Sequence, residues 1–241
     1  MTTSAERLAA VTERIAAAAR RSGRLPQEVR LIAVSKTKTS QDIQSLVDLG
    51  VNDFGENQIQ EALDKCAQFR ETALNWHFIG HLQSNKCKFI PGNFSWVHSI
   101  DNEKLVRRIA QANREAGASV NLLLQVNVSA DPAKHGVPSR DLFSLVEHIL
   151  ELDSDKAQLR GLMTIGYRGA SDDERRRSFA ALRRLLEQCQ QRFGESMTEL
   201  SMGMSGDFEL AIEQGATMVR VGTALFGPRK FDREASPKEA K

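Results

Sequence analysis

Lys36 is the residue whose position in this sequence most directly suggests chemistry. The segment "LIAVSKTKTS" (31–40) places it just after a short apolar run, with Lys38 two residues further on. By the alternation of a β-strand, Lys36 shares a face with Ile32 and Val34, and an inward face would bring its amine to the end of the core. An amine that loses hydration holds its proton less tightly, and the neutral form attacks carbonyl carbons to give Schiff bases. A solvated loop lysine is the alternative, and it is the common case for a single lysine.

A second candidate group near the end of the chain consists of serine, threonine and glycine residues: Ser201, Ser205, Gly222 and Thr223. Glycine lets backbone N–H groups approach an anion, and the hydroxyl groups add donors, so the group is typical of a phosphate site. A short helix predicted after Ser205 would point its N-terminus at the anion. An ordinary helix cap explains a cluster of serine and glycine equally well.

Alternating strand and helix patterns predict the element order that positions these groups. Strands are predicted within eight segments: 30–35, 51–55, 76–80, 95–100, 121–128, 159–165, 198–202 and 217–222. Helical patterns lie between them, and an additional amphipathic helix is predicted over residues 4–22. Eight βα units predict a single-domain (β/α)8 TIM barrel over residues 1–227, with a doubly wound open sheet as the alternative. The charged segment 228–241 is predicted to be a flexible tail.

The predicted barrel brings the two candidate groups to the same place. Chemistry in such barrels occurs at the C-terminal ends of the strands, and phosphate is often bound after strands seven and eight. Lys36 follows the first predicted strand, whereas Ser205 and Gly222 follow the seventh and eighth. A lysine nucleophile beside a phosphate site predicts a phosphorylated aldehyde as the ligand. Pyridoxal 5′-phosphate is the common cofactor of that kind.

Composition and motifs argue against several other classes of function. A formal net charge of +2 argues against a nucleic-acid-binding or membrane-surface protein. The three cysteines share no C-x-x-C spacing and are predicted to be reduced thiols. No segment has the pattern of a membrane span or a signal peptide. A cytoplasmic location is therefore expected. His77 and His81 are four residues apart but lack the glutamate of H-E-x-x-H, and no metal site is predicted. The arginines between 175 and 184 are predicted to form a solvated helix face.

Five motifs of the chain are long and specific: "AVSKTK", "FGEN", "WHFIGHLQSNK", "RGLMTI" and "LSMGMSGDFELAIEQGATMVRVGTALFG". Over about residues 5–227 they closely resemble the pyridoxal-phosphate homeostasis protein family, single-domain barrels related to the N-terminal domain of alanine racemase. The resemblance implies that Lys36 carries the cofactor as a Schiff base and that the serine, threonine and glycine group lies near its phosphate. It places Arg220 against the pyridine nitrogen and Asn57 in the motif that lines the ring. Many relatives have tyrosine after "GEN" where this chain has Gln58, so the contact of that tyrosine does not carry over.

The position that the resemblance implies for Arg220 has a chemical consequence. A permanent cation beside the pyridine nitrogen disfavours its protonation, and an unprotonated ring is a weaker electron sink. Carbanion chemistry is then less favoured. An arginine that closes the barrel with a carboxylate partner is the alternative.

Two functions of different classes fit these residues. One is a non-catalytic protein that holds pyridoxal phosphate on Lys36 for vitamin B6 homeostasis and supply to client enzymes; the alternative is a single-domain amino-acid racemase or lyase. Racemisation needs acid–base groups on both faces of the substrate carbon. Lys36 can serve one face, but Tyr167, the only tyrosine, has no clear reason to reach the site, and the chain stops before a second domain. The binding protein is therefore favoured, as a monomer without catalytic residues, and a role of Lys38 or Lys134 in transfer stays open.

Overall fold

Nine parallel strands are found in the described residues: β1 (Arg30–Val34), β2 (Asp53–Glu56), β3 (Asn75–Phe78), β4 (Trp96–Ile100), β5 (Val120–Asn127), β6 (Val137–Pro138), β7 (Ala157–Met163), β8 (Glu199–Met204) and β9 (Met218–Val221). Their order in the sheet is β4–β3–β2–β1–β9–β8–β7–β5, with β6 added beside β5. A further pairing of β4 with β5 closes the eight longer strands on themselves. The closed sheet confirms the predicted (β/α)8 TIM barrel and excludes the open sheet.

The structure, a computed structural model, describes residues 2–129, 131, 134–152, 154–166 and 169–227. The tail predicted at 228–241 and Tyr167 lie outside these residues. The α-helices are α1 (Ser4–Arg21), α2 (Ser40–Val47), α3 (Ile59–Gln68), α4 (Glu103–Ala116), α5 (Leu142–Glu151), α6 (Asp172–Phe193), α7 (Phe208–Glu213) and α8 (Thr223–Phe226). Short 3₁₀ helices span Pro26–Glu28, Ser84–Phe89 and Ser139–Asp141.

The eight predicted strands and the helix that precedes them are confirmed. The connection after β3 is a 3₁₀ helix, Ser84–Phe89, where a short helix is predicted. Three elements are not predicted: the 3₁₀ helix Pro26–Glu28, the two-residue strand β6 and the four-residue helix α8. Elements of two to four residues are too short to show a hydrophobic period, which is the signal on which the predictions depend.

The start of α2 is fixed by its sequence immediately after Lys36. Thr39 accepts a hydrogen bond from the amide of Asp42, and the Asp42 carboxylate accepts one from the amide of Thr39. This reciprocal pair satisfies two amides at the start of the helix and ends the loop that carries Lys36.

The buried apolar residues form two layers. A small, separate cluster of buried residues lies on the barrel strands: Ile32, Trp96, Leu123, Met163 and Met218. A larger layer lies between the outer faces of the strands and the surrounding helices, with fully buried residues such as Phe54, Phe78 and Phe179. Each fully buried side chain of this size contributes about 1.5–3 kcal/mol. Polar residues lie beside this cluster, since Ile32 is paired with Arg220 and Met163 with Ser201.

Helix α1 packs outside the repeat against the last two helices. Arg7 donates from Nε to the carbonyl oxygen of Leu225 in α8 at 2.5 Å. Arg14 forms two hydrogen bonds with Glu209 in α7, of 2.7 and 2.9 Å. Arg24, just after α1, donates to the carbonyl of Ala216 at 2.8 Å. The first helix therefore supports the elements that follow β8 and β9.

Other sequence predictions are also tested by the structure. The three cysteines are buried and free, as predicted, and burial raises the pKa of Cys66 to about 12 and that of Cys189 to about 11, so these thiols are poor nucleophiles. Four arginines of α6 form ion pairs at the surface, including Arg175 with Asp172 at 3.0 Å and Arg183 with Glu187 at 2.9 Å, as expected of a solvated face. In the part of the chain that is described, no helix has the length and apolar character to cross a membrane.

Candidate functional site

Lys36 lies just beyond the C-terminal end of β1, at the mouth of the barrel. Its side chain is half-buried, and among the described residues its ammonium has no hydrogen-bond or ion-pair partner. Lys38, by contrast, lies over the ring of Phe226, with Nζ 5.7 Å from the ring centre. The amine of Lys36 is therefore available to a ligand.

The turn that carries Lys36 is held on both sides by α3. Lys65 Nζ donates to the carbonyl oxygen of Ser35 at 2.8 Å, and Thr37 N donates to Glu61 Oε1 at 2.5 Å. Lys65 and Glu61 are themselves 2.7 Å apart. Thr37 has a φ of 63°, a left-handed conformation that costs energy in a β-branched residue and requires support from its surroundings. The position of Lys36 is thus fixed through its two neighbours.

A buried carboxylate completes this support. Glu56 is fully buried, and its Oε1 accepts hydrogen bonds from Lys65 Nζ at 2.7 Å and from Ser35 Oγ at 2.6 Å. Burial raises the pKa of Glu56, and the bonds from Lys65 and Ser35 partly offset that rise. Sequence reasoning missed Lys65, because a lysine on an amphipathic helix is ordinarily exposed. The adjacent acidic residues in "GENQIQEALDK" are the only signal that could have indicated its role.

Asn57 lies at the C-terminal end of β2 with a polar atom left unpaired. Its Oδ1 is buried without a hydrogen-bond partner among the described residues. Gly80 packs so closely against it that an added Cβ would lie 2.1 Å from the carbonyl oxygen of Asn57, which explains why glycine is needed there. Gln58 is exposed and begins α3 without a side-chain cap. An unpaired buried acceptor is unusual, and it marks Asn57 as a group whose partner other protein groups do not supply.

Arg220 projects from β9 into the barrel and is 4% exposed. Its Nη1 donates to Ser201 Oγ at 2.7 Å and its Nη2 to the carbonyl oxygen of Thr164 at 2.9 Å. Burial lowers the pKa of Arg220 to about 10, and the charge of Asp207 opposes that shift, so the guanidinium stays charged at neutral pH. No carboxylate forms an ion pair with it within the described ranges, which argues against the purely structural alternative for this residue.

The loops after β8 and β9 meet at Ser205. Its Oγ accepts hydrogen bonds from the amides of Gly222 at 3.2 Å and Ala224 at 3.5 Å. Thr223, between them, is exposed. The structure thus brings Ser205, Gly222 and Thr223 together and adds the Ala224 amide, which sequence reasoning missed because a backbone group leaves no side-chain signal. Hydroxyl and amide groups are donors that a phosphate group accepts, but the amides of Gly222 and Ala224 donate to Ser205 here and would have to exchange those bonds for bonds to a phosphate.

The helix that follows Ser205 has an acidic residue at its start. That helix, α7, begins at Phe208, and the carboxylate of Asp207 before it accepts a hydrogen bond from the amide of Met204 at 2.7 Å. The amides that contact Ser205 instead belong to the start of α8. The prediction that a phosphate is bound at the N-terminus of α7 stays a prediction.

Ser201 forms its hydrogen bonds with other residues than Ser205, Gly222 and Thr223 do. It is fully buried inside the barrel, where its Oγ contacts Arg220 and lies 2.9 Å from Nδ1 of His98. It lies with the arginine rather than with Ser205.

The two histidines with metal-like spacing lie in different environments. His77 is fully buried in the barrel interior, with Nδ1 2.9 Å from Nε2 of His98. His81 is exposed at the rim, where its ring stacks on that of His135 at 4.1 Å, and Asp101 lies near both. The two residues therefore share no site. The prediction that the protein holds no metal stays a prediction.

Comparisons with known proteins agree with this geometry. The sequence model of the family described as "Alanine racemase, N-terminal domain" matches residues 7–230. A protein of Pseudomonas aeruginosa named pyridoxal phosphate homeostasis protein is 44% identical over 236 residues, covering 98% of this chain and 100% of the relative. This chain belongs to the pyridoxal phosphate homeostasis protein family.

Solved structures include a relative described as PLP-bound. PipY of Synechococcus elongatus PCC7942 has a structure described as having PLP bound; it is 38% identical, with a TM-score of 0.79, and the match covers 90% of this chain and 100% of PipY. Alanine racemase of Corynebacterium glutamicum is 15% identical with a TM-score of 0.66, over 94% of this chain and 63% of the racemase. At that identity the racemase supports the shared barrel fold alone.

Proposed function

We propose that this member of the pyridoxal phosphate homeostasis protein family binds pyridoxal 5′-phosphate reversibly on Lys36 and does not catalyse efficient turnover. One observation carries the proposal: the unpaired Lys36 amine lies at the same barrel mouth as the buried Arg220 and as the Ser205 hydroxyl with the amides that contact it. When bound, the cofactor supplies an aldehyde that forms a Schiff base with an amine. The PLP-bound structure described for PipY supports the same ligand here.

The residues present fit each part of this cofactor. The Lys36 amine would meet the aldehyde, and the Ser205 hydroxyl would hold the phosphate, with the amides of Gly222 and Ala224 exchanging their bonds to Ser205 for bonds to the phosphate. Thr223 adds a hydroxyl there. Arg220 faces the pyridine nitrogen, and the unpaired Oδ1 of Asn57 is left to accept a hydrogen bond at the ring. Ser201, expected near the phosphate, serves in this proposal as the acceptor that orients Arg220.

Arg220 also supports a binding role over catalysis. A guanidinium that stays charged at neutral pH disfavours a proton on the ring nitrogen, so the ring withdraws electrons less strongly from a bound amino acid. In this proposal the protein stores the cofactor and supplies it to client enzymes. It does so as a monomer in the cytoplasm. Light scattering tests the monomer. Reactivation of a cofactor-free PLP-dependent enzyme by the loaded protein, faster than by slow release into solution, tests the supply role.

Ser205→Ala should weaken pyridoxal phosphate more than pyridoxal. A hydrogen bond to a charged phosphate contributes about 1.5–3 kcal/mol, so the loss should be roughly ten- to a hundredfold in affinity for pyridoxal phosphate. Pyridoxal lacks the phosphate and should lose little. Absorbance titrations of both ligands measure the two losses, with Thr223→Ala as a second variant and the exposed Ser144→Ala as the control. Equal weakening of both ligands by Ser205→Ala would place the phosphate elsewhere.

The loaded protein should not exchange the α-hydrogen of free amino acids at ordinary enzyme rates. A general acid–base group typically contributes 10²–10⁴-fold in rate, so turnover with Lys36 as the one group assigned to this role should be slow, and the ring beside Arg220 would be a weak electron sink. The measurement is deuterium uptake at the α-carbon of L-alanine and a panel of other amino acids in heavy water. Exchange or racemisation at about 1–10³ per second, abolished by Lys36→Ala, would instead establish the racemase or lyase alternative.

A further inference from the structure

A continuous chain of hydrogen bonds crosses the interior of the barrel from its lower end to Arg220. His77 Nε2 lies 2.9 Å from Asp53 Oδ1, and His77 Nδ1 lies 2.9 Å from His98 Nε2. His98 Nδ1 lies 2.9 Å from Ser201 Oγ, which accepts from Arg220 at 2.7 Å. These residues project from β2, β3, β4, β8 and β9. We call this set the interior relay.

The donor and acceptor roles in the interior relay can run in only one direction if every group is satisfied. Arg220 can only donate, so the hydrogen of Ser201 must go to Nδ1 of His98. His98 then carries its hydrogen on Nε2 and donates it to Nδ1 of His77. His77 likewise carries its hydrogen on Nε2 and donates it to the carboxylate of Asp53. The reverse direction needs a protonated Asp53 and leaves the Ser201 hydrogen without an acceptor among these groups.

We infer that Asp53, His77 and His98 are positioning residues that hold Ser201 as an acceptor for Arg220 and so orient its guanidinium. This inference rests on the proposed function where it concerns the cofactor, because Arg220 is the group assigned to the ring nitrogen. The carboxylate of Asp53, at the opposite end of the barrel, thereby determines how Arg220 presents its remaining N–H groups.

The surroundings of the two histidines keep both rings neutral. Both are fully buried, and burial lowers the pKa of His77 and, more strongly, that of His98. The charged groups that act on His77 are Asp53, Glu199 and Arg30, of which the first two oppose the shift. The neighbouring His77 ring and the cations Arg220 and Arg30 lower the pKa of His98 further. Neutral rings are what the interior relay requires, because a doubly protonated ring could not accept a hydrogen bond.

Packing holds the rings in the orientation that the bonds need. The ring of His77 stacks on that of Trp96 with an interplanar angle of 8° and a centroid distance of 5.8 Å. The rings of His77 and His98 meet edge to face at 5.1 Å. Asp53, 19% exposed in its side chain, lies 3.9 Å from Arg30 at the lower rim. The acidic end of the interior relay is thus the part that solvent reaches.

The first test uses the cofactor-free protein. Long-range ¹H–¹⁵N NMR spectra report which ring nitrogen of each histidine carries hydrogen. In the unaltered protein we expect His77 and His98 to be neutral, with hydrogen on Nε2, between about pH 6 and 8. In Asp53→Asn we expect part of the hydrogen of both rings to move to Nδ1, because an amide can donate as well as accept. Asp64→Asn, the same change on an exposed face of α3, should leave both rings unchanged. A doubly protonated ring, or hydrogen on Nδ1 of either ring in the unaltered protein, would overturn the inference.

The second test reads the orientation of Arg220 through the ligand. Pyridoxal phosphate and its 1-deaza analogue, in which C–H replaces the ring nitrogen, differ at the atom that Arg220 would contact. The preference for pyridoxal phosphate over this analogue should fall about three- to tenfold in Asp53→Asn and in His98→Gln, which is part of the value of a hydrogen bond from the charged Arg220, and stay unchanged in Asp64→Asn. An unchanged preference in both variants would show that the interior relay does not orient Arg220. If the unaltered protein bound neither ligand, the proposed function would fail, while the NMR spectra would still decide the direction of the interior relay.

Discussion

Replacing Lys36 by alanine should leave the protein unable to retain a pyridoxal phosphate label fixed by borohydride. The reason is that Lys36 is the half-buried, unpaired amine at the barrel mouth, and reduction fixes the cofactor to the amine that holds it. In the unaltered protein, peptide mapping should find the label on the peptide that contains Lys36. The expected change is complete loss, with the far-ultraviolet circular dichroism unchanged.

Lys38→Ala is the matched control for that experiment. It removes a lysine two residues away whose ammonium lies over Phe226, so it should leave the label on Lys36. Lys36 and Lys38 fall within one short segment, and their peptides must be separated or sequenced by fragmentation. A label found mainly on Lys38 or Lys134 in the native protein would show that the wrong lysine has been assigned.

Replacing Lys65 by methionine should destabilise the folded protein by about 3–5 kcal/mol. Methionine keeps much of the side-chain volume but removes the ammonium, so Glu56 is left as a fully buried carboxylate without its cation. The carbonyl of Ser35 also loses its donor. Urea denaturation followed by circular dichroism measures the change in the free energy of unfolding.

A double variant separates the loss of the ion pair from a general loss of packing. Glu56→Gln combined with Lys65→Met removes both charges, and it should recover a large part of the lost stability because no buried charge remains unpaired. The exposed Lys88→Met should change stability by less than about 0.5 kcal/mol. A loss below about 1 kcal/mol for Lys65→Met alone would mean that Glu56 is neutral in the folded protein, contrary to the ion pair described here.

The fold could be predicted well from the sequence because its signals are local and repeated. Each of the eight predicted strands is an apolar or β-branched segment bounded by turn residues, and each of the first seven is followed by a helical pattern, as around Lys36 and Thr39. Lys36 was predicted for the same reason, since the end of a strand is visible in a single segment. The pairing of β4 with β5, which closes the barrel, is predicted by the number of βα units rather than by any one residue.

The parts of the site that could not be predicted depend on contacts between distant segments. The bond from His98 to Ser201 joins residues 103 positions apart, and no local pattern records it. The amide of Ala224 acts through the backbone, which is the same in every residue except proline. The role of Lys65 could not be predicted because Lys65 lies in an ordinary amphipathic helix pattern. The tertiary structure shows that this lysine contacts Glu56.

The bond between Arg7 and Leu225 has a consequence for how the chain folds. It joins residues separated by 218 positions, and α1 rests largely on α7 and α8. During synthesis from the N-terminus, α1 is therefore complete long before its partners exist. The face of α1 that is buried in the folded protein, which includes Val11 and Ile15, is exposed to solvent or covered by other contacts until almost the whole barrel has been synthesised. Contacts of such high sequence separation slow folding, so closure of the barrel by β9 and docking of α1 should be late and coupled events, and the amides that face Ser205 are fixed only when both have occurred.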